Sequence, residues 1–146
     1  MKSTTISSMM LHDHGKIVKL LNECKQAMKE DTNEGILKSF DKFAWELERH
    51  IFVEERVIFR QEISLSKDSH ELIQAILEDH QMLSDMLKEI EKSLREKDYN
   101  LNIPKIERFL SDHKDREDRD LYPRLDDELN PELKKFMVEQ LKTRIF

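Results

Sequence analysis

Glycine and proline are scarce here, with two Gly and three Pro in 146 residues. A turn-rich β fold needs many more of both, so the shortage argues for long helices joined by short connections. A single cysteine, Cys24, excludes an internal disulfide and leaves no thiolate cluster for a structural zinc site. No apolar run approaches the length of a membrane span. The opening Met1-Lys-Ser-Thr-Thr-Ile-Ser-Ser lacks the apolar stretch of a signal peptide, so a soluble, cytoplasmic protein without a membrane partner is expected. A basic stripe is also missing. The net charge is −6, and nothing offers a row of phosphate contacts, which argues against nucleic-acid binding.

What is present is charge and helical periodicity. Charged residues make up 38% of the chain, and the apolar positions recur at intervals of three and four. Ser7 and Ser8 are plausible caps for a first helix from about Met9 to Glu30, with Leu11, His14, Ile17, Val18, Leu21, Cys24 and Met28 inward. After a turn at residues 31–35, a second helix turns Ile36, Phe40, Phe43, Leu47, His50, Glu54, Val57 and Ile58 inward and fades near Ser64. Asp68 or Ser69 is the expected cap of a third, whose inner face runs from Leu72 through His80 to Leu94. Asn102 and Pro104 announce a fourth, with Ile106, Phe109, Leu110, His113, Glu117 and Leu121 inward and Pro123 as its end. Asn130-Pro131 then opens a short fifth helix, docking through Leu133, Phe136, Met137 and Leu141. The fold class expected is all-α: an up-down-up-down four-helix bundle over about residues 7–123, with a C-terminal helix over about 131–144, forming a single domain over 1–146.

Inside that order lies a repeat. Leu11-His-Asp-His14 matches Leu77-Glu-Asp-His80, and Leu47-Glu-Arg-His50 matches Leu110-Ser-Asp-His113. Both members of the second pair continue as His-x-x-x-Glu followed by another acid: His50, Glu54, Glu55 and His113, Glu117, Asp118. Positions i and i+4 share one helix face, so each pair aims an imidazole and a carboxylate at one spot. One inward histidine is more often a hydrogen-bonded core residue than a ligand. Four of them, one per helix, with two carboxylates one turn on, are a different matter. Burying Glu54 and Glu117 without a cation would cost several kcal/mol apiece or keep them protonated. A dinuclear metal centre removes that penalty, and mixed nitrogen and oxygen donors suit iron or manganese. The Glu-x-x-His spacing of ferritin-type bundles and the His-Glu-x-x-His of zinc proteases are both absent.

The ordered pattern Asp13-His14, His50-x-x-x-Glu54-Glu55, Asp79-His80, His113-x-x-x-Glu117-Asp118 resembles the hemerythrin-like, or HHE cation-binding, domain over roughly residues 9–123. The resemblance implies a four-helix bundle around a non-haem di-iron centre. His14, His50, His80 and His113 would be terminal ligands, and Glu54 and Glu117 would bridge two Fe ions, with an oxo or hydroxo group as a third bridge. Mn in place of iron is compatible with the same donors. Oxygen-carrying hemerythrins differ by a fifth histidine where this chain has Ser84, and by a bridging aspartate that Asp118 could supply instead of Glu117. The loss of that histidine is similar to members associated with repair of iron–sulfur clusters under nitrosative or oxidative stress, or with iron and oxygen sensing.

Asp13, Asp79, Asp112, Glu55 and Asp118 are candidates to hold the outer ring nitrogens of the histidines. Glu46 stands one turn before His50 and could gate water or protons. Tyr122, placed after the fourth helix as Phe59 is after the second, is expected mainly to pack, as are Trp45, Met9 and Met10. Three functions compete: a redox-active di-iron protein that senses or scavenges O₂, NO or peroxide or donates iron; reversible O₂ carriage or iron storage without turnover; and a helical scaffold whose histidines are merely core. No nucleophile–base pair suggests catalysis without a metal.

Overall fold

A computed structural model describes residues 5–30, 33–60 and 65–145. The described residues are almost entirely helical and include no strand, so the protein is all-α. Helix α1 spans Ile6–Glu30, α2 Asn33–Val53, α3 Lys67–Arg95, α4 Ile103–Arg116, α5 Tyr122–Glu128 and α6 Pro131–Ile145. Two π-helical turns, Glu54–Ile58 and Glu117–Leu121, directly follow α2 and α4. Helix α1 lies against α2, α3 against α4 and α2, and α1 also touches α4.

Helix starts fall where side-chain oxygens reach free backbone N–H groups. The first begins earlier than its serines suggest. Thr5 Oγ1 accepts from the Ser8 N–H while Ser8 Oγ accepts from the Thr5 N–H, a reciprocal cap that puts Ser7 and Ser8 inside the helix. Ser66, not Asp68 or Ser69, caps α3, accepting from the Ser69 N–H at 3.2 Å. Asn102 caps α4 as expected, with Pro104 in its first turn. The turn before α2 is shorter than residues 31–35, because the helix already includes Asn33; residues 31–32, and Ser64 at the expected end of the second helix, lie outside the described residues.

Pro123 does not end the fourth helix. Its missing N–H costs nothing at the start of α5, where the π turn hands over to a new helical segment. Helix α5, an addition to the five helices expected, works as a clamp. Asp126 accepts from the backbone N–H groups of Ile6 and Ser7 and from the Ser7 hydroxyl. Glu128 accepts from the Ser66 N–H and the Ser69 hydroxyl, each at 2.7 Å. Two carboxylates from one short helix thus stabilise the positive N-terminal ends of α1 and α3.

The apolar core comes in two blocks. One gathers Met9, Met10, Val57, Ile58, Phe59, Ile76, Leu121 and Leu125 with Met137 and Leu141 of α6. The other gathers Ile17, Leu21, Cys24, Phe40, Phe43, Leu47, Leu83, Leu87, Ile106 and Leu110. Between the blocks, on each long helix, sits one buried histidine. Several expected core residues are outside instead. Leu11 and Phe136 are exposed, and Trp45 is 62% exposed under the Arg49 guanidinium, as Phe52 on the same helix is 52% exposed under that of Arg56. A cation above the ring face gives these aromatics a surface role that hydropathy does not distinguish from burial.

Candidate metal centre

Each long helix delivers its histidine to the seam between the apolar blocks, where His14, His50, His80 and His113 are buried. The π turns begin at the two glutamates. Glu54 and Glu117 lie one turn beyond His50 and His113 and are fully buried. The wider turn spends one extra residue at each site, and at the first of them Val57, Ile58 and Phe59 are buried in succession.

Every ring is held from outside by a carboxylate on Nδ1. Asp118 Oδ1 lies 2.9 Å from His14, Asp13 Oδ2 2.5 Å from His50, Glu55 Oε2 2.9 Å from His80 and Asp79 Oδ2 3.0 Å from His113. The pattern obeys the sequence repeat. The acid preceding the early histidine holds the later histidine of its own half (Asp13 on His50, Asp79 on His113). The acid following the buried glutamate holds the early histidine of the other half (Glu55 on His80, Asp118 on His14). Asp112 is exposed and takes no part among these contacts. Asp118 is thereby engaged on the outer side of His14, while Glu117 occupies the inner position.

That outer ring fixes the tautomers by hydrogen-bond geometry: Nδ1 carries the proton and donates it outward, so Nε2 presents its lone pair inward. All four Nε2 atoms then meet carboxylate oxygens or one another. His80 Nε2 is 3.0 Å from Glu54 Oε1, His113 Nε2 is 3.0 Å from Glu117 Oε1, and His14 Nε2 is 3.2 Å from the same Glu117 oxygen. His14 Nε2 and His50 Nε2 stand 3.1 Å apart. Lone pairs cannot face each other at such distances without something positive between them.

In the absence of a metal that positive charge is protons. Burial pushes all four imidazoles toward neutrality, yet the surrounding carboxylates outweigh it and raise His14, His50 and His80 above the usual value. Burial likewise opposes protonation of His113, but the Glu117 charge and the Asp79 and Glu117 hydrogen bonds push it up to about 10. Glu117 is pulled the other way: burial would raise it, and His113 with its neighbours holds it well below the usual carboxylate range. Asp13 behaves similarly, lowered by His50 and Arg49 against the effect of burial.

Protons do not complete the site, however. Glu54 Oε1, Glu117 Oε2, His80 Nε2 and His113 Nε2 are buried with no hydrogen-bond partner of acceptable geometry. These orphaned atoms belong to one group, Glu54, His80, His113 and Glu117, whose ligand atoms lie within 4.8 Å of one another; His14, His50 and Glu117 make a second such group. The two groups share Glu117 and together contain all six residues singled out from the sequence. Hard and borderline donors in this mixture fit divalent iron or manganese.

Tyr122 is the residue the sequence reading undervalued. It is fully buried, donates its hydroxyl to Glu54 Oε2, and places that oxygen 3.5 Å from His14 Nε2. Burial and the nearby Glu117 and Glu54 charges push its phenol well above the usual value, so it stays protonated. Phe59, its counterpart in the repeat, stacks on His80 without a hydroxyl. The repeat itself, with tyrosine in one half and phenylalanine in the other, was the available signal. Glu46 is tied to Arg49 at 2.6 Å, and Arg49 in turn faces Asp13 at 3.7 Å, so Glu46 lies on the charged flank of the site. Ser84, half-buried on α3, leaves the imidazole count at four.

No helix among the described residues is long and apolar enough to cross a membrane. No curated protein and no solved structure matches the chain significantly. A family model, the hemerythrin HHE cation binding domain, matches residues 5–125, which takes in α1 to the first turn of the clamp helix and leaves α6 outside. The chain therefore belongs to the hemerythrin family of HHE cation-binding domains.

Proposed function

We propose that this protein is a non-haem di-iron protein that binds or reacts with O₂, nitric oxide or peroxide, in sensing, in stress defence or in donating iron for iron–sulfur cluster repair. The helices, taken as one up-down-up-down bundle with α6 strapped alongside, supply His14, His50, His80 and His113 as terminal ligands and Glu54 and Glu117 as carboxylates shared by two ions. The observation that carries this reading is the convergence of four inward lone pairs and two buried carboxylates with orphaned atoms among them. A bound iron pair would supply electron transfer to a small ligand, which no side chain here can supply alone.

The chain's own residues do the rest. Asp13, Glu55, Asp79 and Asp118 keep the Nε2 atoms pointed inward and make the imidazoles better donors. Ile17, Val18, Leu47 and Leu110 line a small apolar hollow that reaches the His14, His50 and His113 rings. A hollow of this kind suits a small uncharged molecule and turns away large or ionic substrates. Anaerobic titration of the iron-loaded protein with O₂ and with nitric oxide tests the reading. Irreversible oxidation or iron release is expected. A stable adduct removed by evacuation would instead mark reversible carriage, and no spectral response to either gas would remove the reading.

A further inference from the structure

The two candidate metal positions are not equivalent. One group offers four residues, Glu54, His80, His113 and Glu117, and the other only His14, His50 and Glu117. The sequence repeat would make them equal, with Glu54 serving both. What breaks the equality is where the two oxygens of Glu54 go. Oε1 lies 3.0 Å from His80 Nε2, within the four-residue group. Oε2 lies 3.6 Å from His50 Nε2, on the side of the three-residue group, but it already accepts the Tyr122 hydroxyl. In the other half the corresponding ring, Phe59, has no hydroxyl with which to claim a Glu117 oxygen.

Resting on the metal reading above, we infer that Tyr122 sets unequal affinities in the two halves of the centre by competing for Glu54 Oε2 with a cation held by His14 and His50. The His80–His113 group then fills first. The His14–His50 group fills second and more weakly, since Glu54 must share or surrender a charge-assisted hydrogen bond, among the stronger kinds, to complete it. The same hydroxyl, 3.5 Å from His14 Nε2, stands at the edge of the weaker position. Tyr122 is thus a positioning residue acting through Glu54. The half of the centre beside it is the one that gives up its ion more readily.

Calorimetric titration of chelator-stripped protein with manganese(II) tests this. The wild-type chain should show a tight step and a weaker one. Tyr122→Phe, which keeps the ring and removes only the hydroxyl, should tighten the weaker step by about tenfold and leave the tight one in place. In the wild-type protein, tyrosine difference absorbance should grow with the second equivalent of manganese(II) and not with the first, a readout that needs no variant. Identical constants in Tyr122→Phe, a weaker second step, or a tyrosine signal complete at the first equivalent would overturn the inference while leaving the metal centre standing. Failure of the wild-type chain to take up manganese(II) or iron(II) at all would overturn the reading beneath it.

Discussion

Asp13→Asn keeps the shape of the side chain that supports His50 and removes its charge. Asp13 is fully buried, bonds His50 Nδ1 at 2.5 Å, and faces Arg49 at 3.7 Å and Lys16 at 3.9 Å. The carboxylate raises the donor strength of His50 and fixes its tautomer. Loss of such a partner generally lowers metal affinity by about 10- to 100-fold. The four equivalent acids provide a built-in scale, because their side chains differ in exposure: 0% for Asp13, 14% for Asp79, 17% for Asp118 and 40% for Glu55. Water screens an exposed charge, so the same amide substitution should cost most at Asp13, less at Asp79 and Asp118, and least at Glu55. In the metal-free protein Asp13→Asn should also lower stability by about 1–3 kcal/mol, since His50 loses a charge-assisted hydrogen bond and Arg49 a buried opposite charge. Competition for iron(II) against a chromophoric chelator, with melting curves of the metal-free forms, measures both. Wild-type affinity in a folded Asp13→Asn variant, or the largest loss at Glu55, would refute the idea that these acids tune the site through the histidines.

Other outcomes follow from the same structure. His50→Ala and Glu54→Ala should each lose most of the bound iron, while His70→Ala, at a half-buried α3 position that belongs to neither ligand group, keeps it, as read by metal analysis; equal loss in all three would count against the ligand set. The metal-free protein should lose stability as pH rises. His113 is raised from 6.5 to about 10, so its contribution is full below about 6.5 and lost through about 10, and the raised His14, His50 and His80 act with the same sign. Glu117, lowered from 4.5, contributes above that value and loses its contribution as pH falls through its depressed range, so melting temperature should peak between about 4.5 and 6.5. Metal binding displaces those imidazole protons, so metal affinity should climb over the range in which the metal-free form weakens. At the end of α3, Lys97 adopts φ 59° in a left-handed cap that favours glycine, and Lys97→Gly should raise the melting temperature, by about 1 kcal/mol of stability. In α6, Leu141→Ala should cost about 2–5 kcal/mol, whereas Phe136→Ala, at an exposed position, should stay within about 0.5 kcal/mol.

The six inward donors were legible because a helix repeats its face every three to four residues and because the motif occurs twice. A histidine with leucine three positions earlier and an acid four later has one sensible orientation on an amphipathic helix, and the second copy removed the coincidence. The π turns were not legible from spacing alone. Both start at the buried glutamates, where the inward pull of the facing histidines on a carboxylate outweighs the regular helical register, and at the first the run Val57-Ile58-Phe59 adds to it. Trp45 was misplaced because hydropathy counts a ring under a guanidinium as core. Pro123 was read as a stop because α5 has almost no apolar signature of its own. Its value lies in Asp126 and Glu128, whose partners are about 120 and 60 residues away in sequence. Arg49 is similar: its bond to the Arg144 carbonyl, which ties α6 to the flank of the site, joins residues no local pattern connects.

The most direct test of the whole account is the metal content of protein prepared without chelator, read together with its near-ultraviolet spectrum. Two irons per folded chain, with absorption characteristic of a bridged ferric pair, is the result expected. A folded chain free of transition metal, which takes up neither iron nor manganese when offered them, would contradict it and leave the four histidines as ordinary members of a helical core.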